Sequence, residues 1–206
     1  MVLEKECDAP RLGFFGGSFD PPHIGHLQLA QMAIKNARLD KLIFCPAYHA
    51  PLRTSPPLFS SNHRLAMLHA ICKTHKSMTV SSLEVDYGQV RYTYDTIQDI
   101  KKSFPNDRIF LILGADQFCK LSQWFKIELL AQIVHFLVFS RSQKMTPKPS
   151  LKNLNYTFMD NPLMDISSTE IRESIRAGNL PQNQLPEAVF SYLQTHTPNT
   201  ILNQSL

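Results

Sequence analysis

Cysteine is sparse and badly placed for structural use: Cys7, Cys45, Cys72 and Cys119 lie far apart and form no CxxC pair. Neither a zinc knuckle nor a disulfide framework is suggested, and a reducing compartment fits best. Charge of one sign is also lacking in any concentrated form. Lys and Arg total 21 against 17 acids, a formal charge of +4, and the basic residues are scattered along the chain. That mild excess suits a small anionic substrate and gives no sign of nucleic acid, for which a basic stripe or an aromatic RNA motif would be needed. Long apolar runs are missing too. The longest, around Ile109 to Leu113, is far too short to span a bilayer, and the first ten residues, MVLEKECDAP, have no apolar core. These absences predict a cytoplasmic protein with no membrane partner, whose residues 1–10 are a loose leader.

At 206 residues and 43% hydrophobic, the chain is long enough for one well-buried core. Short apolar runs alternate with helical patterns, the signature of an α/β fold with crossover helices. The runs predict strands at Leu12 to Phe15, Lys41 to Cys45, Met78 to Val85, Arg108 to Gly114 and His135 to Phe139. Apolar residues three or four apart predict helices over Gly25 to Ala37, Asn62 to Lys73, Tyr94 to Lys102 and Ile127 to Ile133. Pro46 to Ser60 and Ser140 to Asn155 are rich in proline or polar residues and read as long surface loops. After Pro162 the pattern is helical, first around Ile171 and Ile175 up to Gly178, then from Pro186 to about His196. The expected architecture is a Rossmann-like doubly wound parallel sheet in one domain, 11–196, with a C-terminal helical part at about 163–196 and a flexible tail at 197–206.

Directly after the first strand stands Gly16-Gly17-Ser18-Phe19-Asp20-Pro21-Pro22-His23-Ile24-Gly25-His26-Leu27. Two glycines let the backbone turn sharply and bring its amides near an anion. Two prolines stiffen the approach to a helix whose free N-terminal amides favour phosphate. His23 and His26, three apart at a helix start, can turn both rings to one pocket and donate to phosphoryl oxygens, with Gly25 keeping that surface open. A glycine turn that merely caps a helix, with two neighbouring structural histidines, is the plain alternative.

A second motif, Ile166-Ser167-Ser168-Thr169-Glu170-Ile171-Arg172, opens the late helix. Ser167 and Glu170 have the spacing of a capping box. Three hydroxyls beside exposed helix amides, with Arg172 one turn in, also suit a polyphosphate, and both uses can hold together.

The first segment resembles the HxGH nucleotidyltransferases, and GGSFDPPHIGHL looks like the form found in bacterial nicotinate-nucleotide adenylyltransferases; the second is similar to their ISSTxxR signature. The resemblance runs from about Leu12 to Leu193. It implies that His23, His26 and Arg172 act on the triphosphate of ATP, with Gly16, Gly17, Ser18, Phe19, Gly114, Asp116, Arg141, Ile166, Ser167, Ser168 and Thr169 also around the nucleotide. Arg91-Tyr92-Thr93-Tyr94-Asp95-Thr96 resembles the SYTxDT segment, which places Thr93 beside the mononucleotide; an N-cap is the alternative for Thr93. Leu113-Gly114-Ala115-Asp116 looks like the family's GxD at a strand's carboxyl end, where Asp116 would meet a ribose hydroxyl, helix capping being its ordinary role. Trp124, the only tryptophan, stands where the family stacks an indole on the pyridine ring. Ser18, Phe19, Arg53, Thr93 and Trp124 complete the implied mononucleotide set.

Two segments depart from the family. Ala50-Pro51-Leu52-Arg53 replaces Pro-Pro-His-Lys or Pro-Pro-His-Arg, so Leu52 cannot bind phosphate, and Arg53 or His49 is left to compensate. Ser142 and Gln143 follow Arg141 in place of Pro-Gly. The reaction implied is attack of the mononucleotide phosphate on the α-phosphorus of ATP, pyrophosphate leaving, with Mg²⁺ carried on the triphosphate and no dedicated metal site. Partners are then ATP and nicotinate mononucleotide, with self-association left open. Nicotinamide mononucleotide or phosphopantetheine as acceptor, or a nucleotide-binding protein without catalysis, are the competing readings.

Overall fold

A computed structural model describes residues 9–50, 55–140, 151, 153–160 and 166–196. The elements are β1 (Arg11–Gly17), α1 (Ile24–Asn36), β2 (Lys41–Pro46), α2 (Ser61–Cys72), β3 (Met78–Val80), α3 (Leu83–Tyr87), α4 (Thr93–Ser103), β4 (Arg108–Gly114), α5 (Ala115–Phe118), α6 (Ile127–Ile133), β5 (Val134–Phe139), β6 (Tyr156–Met159), α7 (Ser168–Arg176) and α8 (Glu187–Thr195). All strand pairs are parallel, in the order β3-β2-β1-β4-β5-β6. This is the doubly wound order, in which the chain winds outward from β1 in one direction and from β4 in the other.

The strands are apolar on both faces because both faces are covered. Along β4 the side chains alternate. Ile109, Leu111 and Leu113 pack with Ile97 and Ile100 of α4, Phe118 of α5 and Leu130 of α6. Phe110 and Ile112 point to the other face, with Ala30 and Ala33 of α1, Met67 and Leu68 of α2, Ile171 of α7 and Val189 of α8. The period of two along a strand thus feeds two separate cores. The C-terminal helices belong to the second of them.

Several expectations need correction. The third strand ends at Val80, not Val85: the Ser81 N–H still donates to Phe44 O, but Leu83 then starts a short helix closed by Gly88 at φ 70°. That left-handed C-terminal position is one glycine takes without strain. A sixth strand, β6, was not expected; it lies at the sheet edge beside β5, where four residues suffice. The expected surface loop Pro46 to Ser60 begins inside β2 and closes on Leu58 and Phe59, both buried. Pro10, assigned to the leader, already accepts a hydrogen bond from the Arg108 N–H. Residues 1–8 and the expected tail at 197–206 lie outside the described residues.

Candidate active site

Where the winding reverses, the carboxyl ends of β1 and β4 part and open a cavity of about 480 Å³. Its position and volume are those of a ligand cleft in an open α/β sheet. Gly16, Gly17, Ser18, Phe19, His23, His26, Thr93, Gly114, Asp116, Trp124 and Ile166 all line it. Eleven residues named from five separate stretches of sequence therefore face one space. Arg53 and Arg141, like Leu52, lie outside the described residues.

The sharp turn expected at Gly16-Gly17 is not there. Both glycines are still in β1, paired with Cys45 and Pro46, and the chain turns at Phe19, whose φ is 47°. A bulky residue in the left-handed region carries strain of about 1–3 kcal/mol, so its surroundings must hold it there. They do so by burying the ring, which meets Phe15, Phe44 and His26 edge-on. Asp20 follows, also buried, and its carboxylate accepts from the Leu58 N–H at 2.9 Å and the Phe59 N–H at 2.9 Å. The turn after β1 is thereby tied to the loop after β2.

His23 is the N-cap of α1 and His26 its third residue, so one helical turn brings their rings to 3.7 Å between centroids. The His23 N–H donates to His26 Nδ1 at 3.2 Å. An Nδ1 that accepts fixes the neutral ring with its proton on Nε2, which is the donor a phosphoryl oxygen needs. Gly25 lines the cavity and has a second neighbour to accommodate. A Cβ there would come to 3.0 Å from His23 Nδ1 and 3.9 Å from Ile166, so the missing side chain makes room for the histidine ring.

The late motif reaches the same corner through Arg172. Its Nη1 donates to the Asp20 carbonyl at 3.0 Å and lies 3.9 Å from the Asp20 carboxylate, while Nη2 donates to Thr169 Oγ1 at 3.0 Å. Ser167 is the N-cap of α7 and accepts from the Thr169 N–H at 3.2 Å, so the capping role is realised in the described structure. Of this segment Ile166 lines the cavity, and Ser167, Ser168, Thr169 and Arg172 are not among its lining residues.

On the β4 side, Gly114 is the N-cap of α5 and Asp116 lies inside the first turn, so Asp116 is not the capping residue. Its Oδ1 occupies the space over Gly114, 2.6 Å from where a Cβ would be. Thr93 likewise is the first helical residue of α4, the N-cap being Tyr92.

Sequence reasoning gave no role to Asp20, Arg64, Glu84 or Arg91. Glu84 and Arg91 line the cavity. Burial pushes the Glu84 carboxyl above its ordinary range, against the Thr96 hydroxyl, which donates to Oε1 at 2.8 Å, and the nearby Arg91 charge. Arg91 pairs with Asp99. Arg64 left a readable trace: with Met67, Leu68 and Ile71 it forms an i, i+3, i+4, i+7 set, a charge on the buried stripe of α2. Cys45, beside this group, is a neutral thiol, pushed up to about 12 by burial and then by the Glu84 charge; burial alone takes Cys72 to about 11.

Known proteins are similar to this chain over most of its length. A cytidylyltransferase-like family model matches residues 14–174. A protein of Methylacidiphilum infernorum named probable nicotinate-nucleotide adenylyltransferase is 36% identical, covering 97% of this chain and 98% of its own. The nicotinate-nucleotide adenylyltransferase of Bacillus subtilis is 33% identical over 89% of this chain and 95% of its own. Among solved structures, the Plasmodium falciparum nicotinic acid mononucleotide adenylyltransferase complexed with NaAD superposes with a TM-score of 0.73 at 21% identity, covering 91% of this chain and 96% of its own. At that identity it speaks for the fold alone.

Proposed function

The chain belongs to the cytidylyltransferase-like family and, within it, to the nicotinate-nucleotide adenylyltransferases, and from that membership we propose that it transfers the adenylyl group of ATP to nicotinate mononucleotide, giving the deamido dinucleotide and pyrophosphate. The observation that carries the reading is the convergence of the two end motifs: the adjoining His23–His26 pair and Arg172 are joined through the single turn that contains Asp20.

The chemistry needs no nucleophilic side chain. The acceptor phosphate attacks the α-phosphorus in line, and the protein's work is alignment and stabilisation of charge on the leaving pyrophosphate. His26 donates through Nε2, His23 lies against it, and Arg172 adds a fixed cation with Thr169 Oγ1 as its rest. On the acceptor side Trp124 offers a flat face to the pyridine ring, and Thr93 the first turn of α4.

Mg²⁺ accompanies the triphosphate in this reading. The two carboxylates among the described lining residues, Glu84 and Asp116, belong to different helices, α3 and α5, Glu84 is engaged by Thr96, and no group of three or more metal-binding side chains occurs among the described residues. That set fits a cation held by phosphate oxygens and water, which neutralises the leaving group. No helix among the described residues is long and apolar enough to cross a membrane. We place the reaction in the cytoplasm, which the reduced thiols of Cys45 and Cys72 support.

The test is pyrophosphate release from ATP and Mg²⁺ with nicotinate mononucleotide, nicotinamide mononucleotide and phosphopantetheine as separate acceptors. Release with the first and little with the others is expected. Preference for either of the others would reassign the acceptor, and ATP binding without release for any would remove the catalytic reading.

A further inference from the structure

Arg64 is 1% exposed, yet its hydrogen bonds run to main-chain carbonyls on three different segments. Nε donates to Phe59 O at 3.2 Å, Nη1 to Ser18 O at 2.8 Å and Ala47 O at 2.7 Å, and Nη2 to Tyr48 O at 3.2 Å and Ser61 Oγ at 3.0 Å. A rigid fork of donors thus grips the turn after β1 and both ends of the loop after β2.

The consequence lies on the far side of each peptide. In a trans peptide the carbonyl and the N–H point in opposite directions. With Ser18 O turned to Arg64, the Phe19 N–H faces away from it; with Ala47 O turned the same way, so does the Tyr48 N–H. Ser18, Phe19 and Ala47 line the cavity, and Tyr48 follows Ala47 directly in the chain. Phe19 is also the residue held at φ 47°, and a left-handed residue in such a turn gives the backbone the concave shape that gathers N–H groups around an anion.

We propose that Arg64 is a positioning residue for the transfer reaction: by holding the carbonyls of Ser18 and Ala47 it turns the amides of Phe19 and Tyr48 toward the substrate phosphates. It never touches substrate. The proposal rests on the functional reading above only for the identity of the ligands.

The experiment pairs a variant with a measurement on the unaltered protein. In Arg64→Lys, an ammonium can reach one or two of these carbonyls but cannot fork between the segments. Its KM for ATP and for nicotinate mononucleotide should rise on the order of tenfold or more, with a smaller change in kcat. Hydrogen exchange should quicken in the segments around Phe19 and Tyr48 while the β-strands keep their protection. A variant that melts earlier but keeps both KM values and both segments' protection would make Arg64 a purely structural residue and overturn the proposal. Should Arg64→Lys fail to fold, residue-resolved amide exchange in the unaltered protein decides. Saturation with ATP–Mg²⁺ or with nicotinate mononucleotide should slow exchange at Phe19 or Tyr48, and no slowing at either amide with either ligand bound overturns it. If both ligands bind but no pyrophosphate is released, the functional reading fails while the exchange result still judges Arg64.

Discussion

The His26 ring is held twice, by the His23 N–H on Nδ1 and by the ring of His23 3.7 Å away, so its remaining nitrogen is committed to one direction. Preorganised donors of this kind contribute about 10²–10³ in turnover when removed singly. His26→Ala should therefore lower kcat by about that factor with a near-normal thermal melt; a loss under tenfold would take His26 out of the mechanism. Gly25→Ala is a milder probe of the same geometry. Its Cβ would press on His23 Nδ1 from 3.0 Å and shift the ring, and a misplacement of that kind should cost roughly tenfold in kcat without unfolding the protein. The substitution Gly114→Ala meets the Asp116 carboxylate at 2.6 Å, the free end of a side chain that can swing away. Stability should hardly change while the KM for ATP rises, and an unchanged KM would show that Asp116 does not serve the nucleotide. Sequence reading identified all of these residues except for what Gly25 accommodates. That depends on how the buried His23 ring is turned, which no spacing reveals.

At the scale of elements, α7 ties its own N-cap to Arg172 through Thr169. Ser167 caps its N-terminus through the Thr169 N–H, and Thr169 in turn carries Arg172. Loss of a serine cap costs about 1 kcal/mol, so Ser167→Ala should lower the melting temperature modestly and raise the KM for ATP as Arg172 loosens. A lower melting temperature with an unaltered KM would leave the segment with capping alone. Elements with strong periodicity, such as α6 and β4, were legible because their own residues specify them. The third strand was misread because Met78 to Val85 alternates well enough for either state, and the outcome is set by Glu84 turning in to the distant Thr96 and by Gly88 beyond the end of the run. The edge strand β6 was missed because Tyr156 to Met159 is too short to carry a signal and forms by pairing with β5.

For the whole molecule, the two cores on either side of one parallel sheet leave a crevice where β1 and β4 diverge, and every loop of the site comes off a carboxyl end of a strand or a helix start beside it. The opposite end of the sheet carries His135, whose pKa is lowered by burial and then by Arg108 and Arg11, while its Nε2 lies 2.8 Å from Thr157 Oγ1. A histidine depressed in the folded state contributes stability above its ordinary value of 6.5 and loses it as pH falls through that value toward the folded one. Unfolding free energy should thus decline from pH 7 to pH 5 more steeply in the native protein than in His135→Gln. Parallel denaturant-derived profiles would place the acid sensitivity elsewhere.

By itself the chain's order of residues determined the α/β class, the two end motifs and their family, since each is written in neighbouring positions whose local chemistry is sufficient. Only tertiary structure decided that the turn falls at Phe19, that Asp20 fastens two loops, and that Arg64 grips three segments at once. Those roles arise from groups far apart along the chain meeting where water is excluded. There a buried charge or carboxylate must find its partners among whatever backbone the fold brings to it.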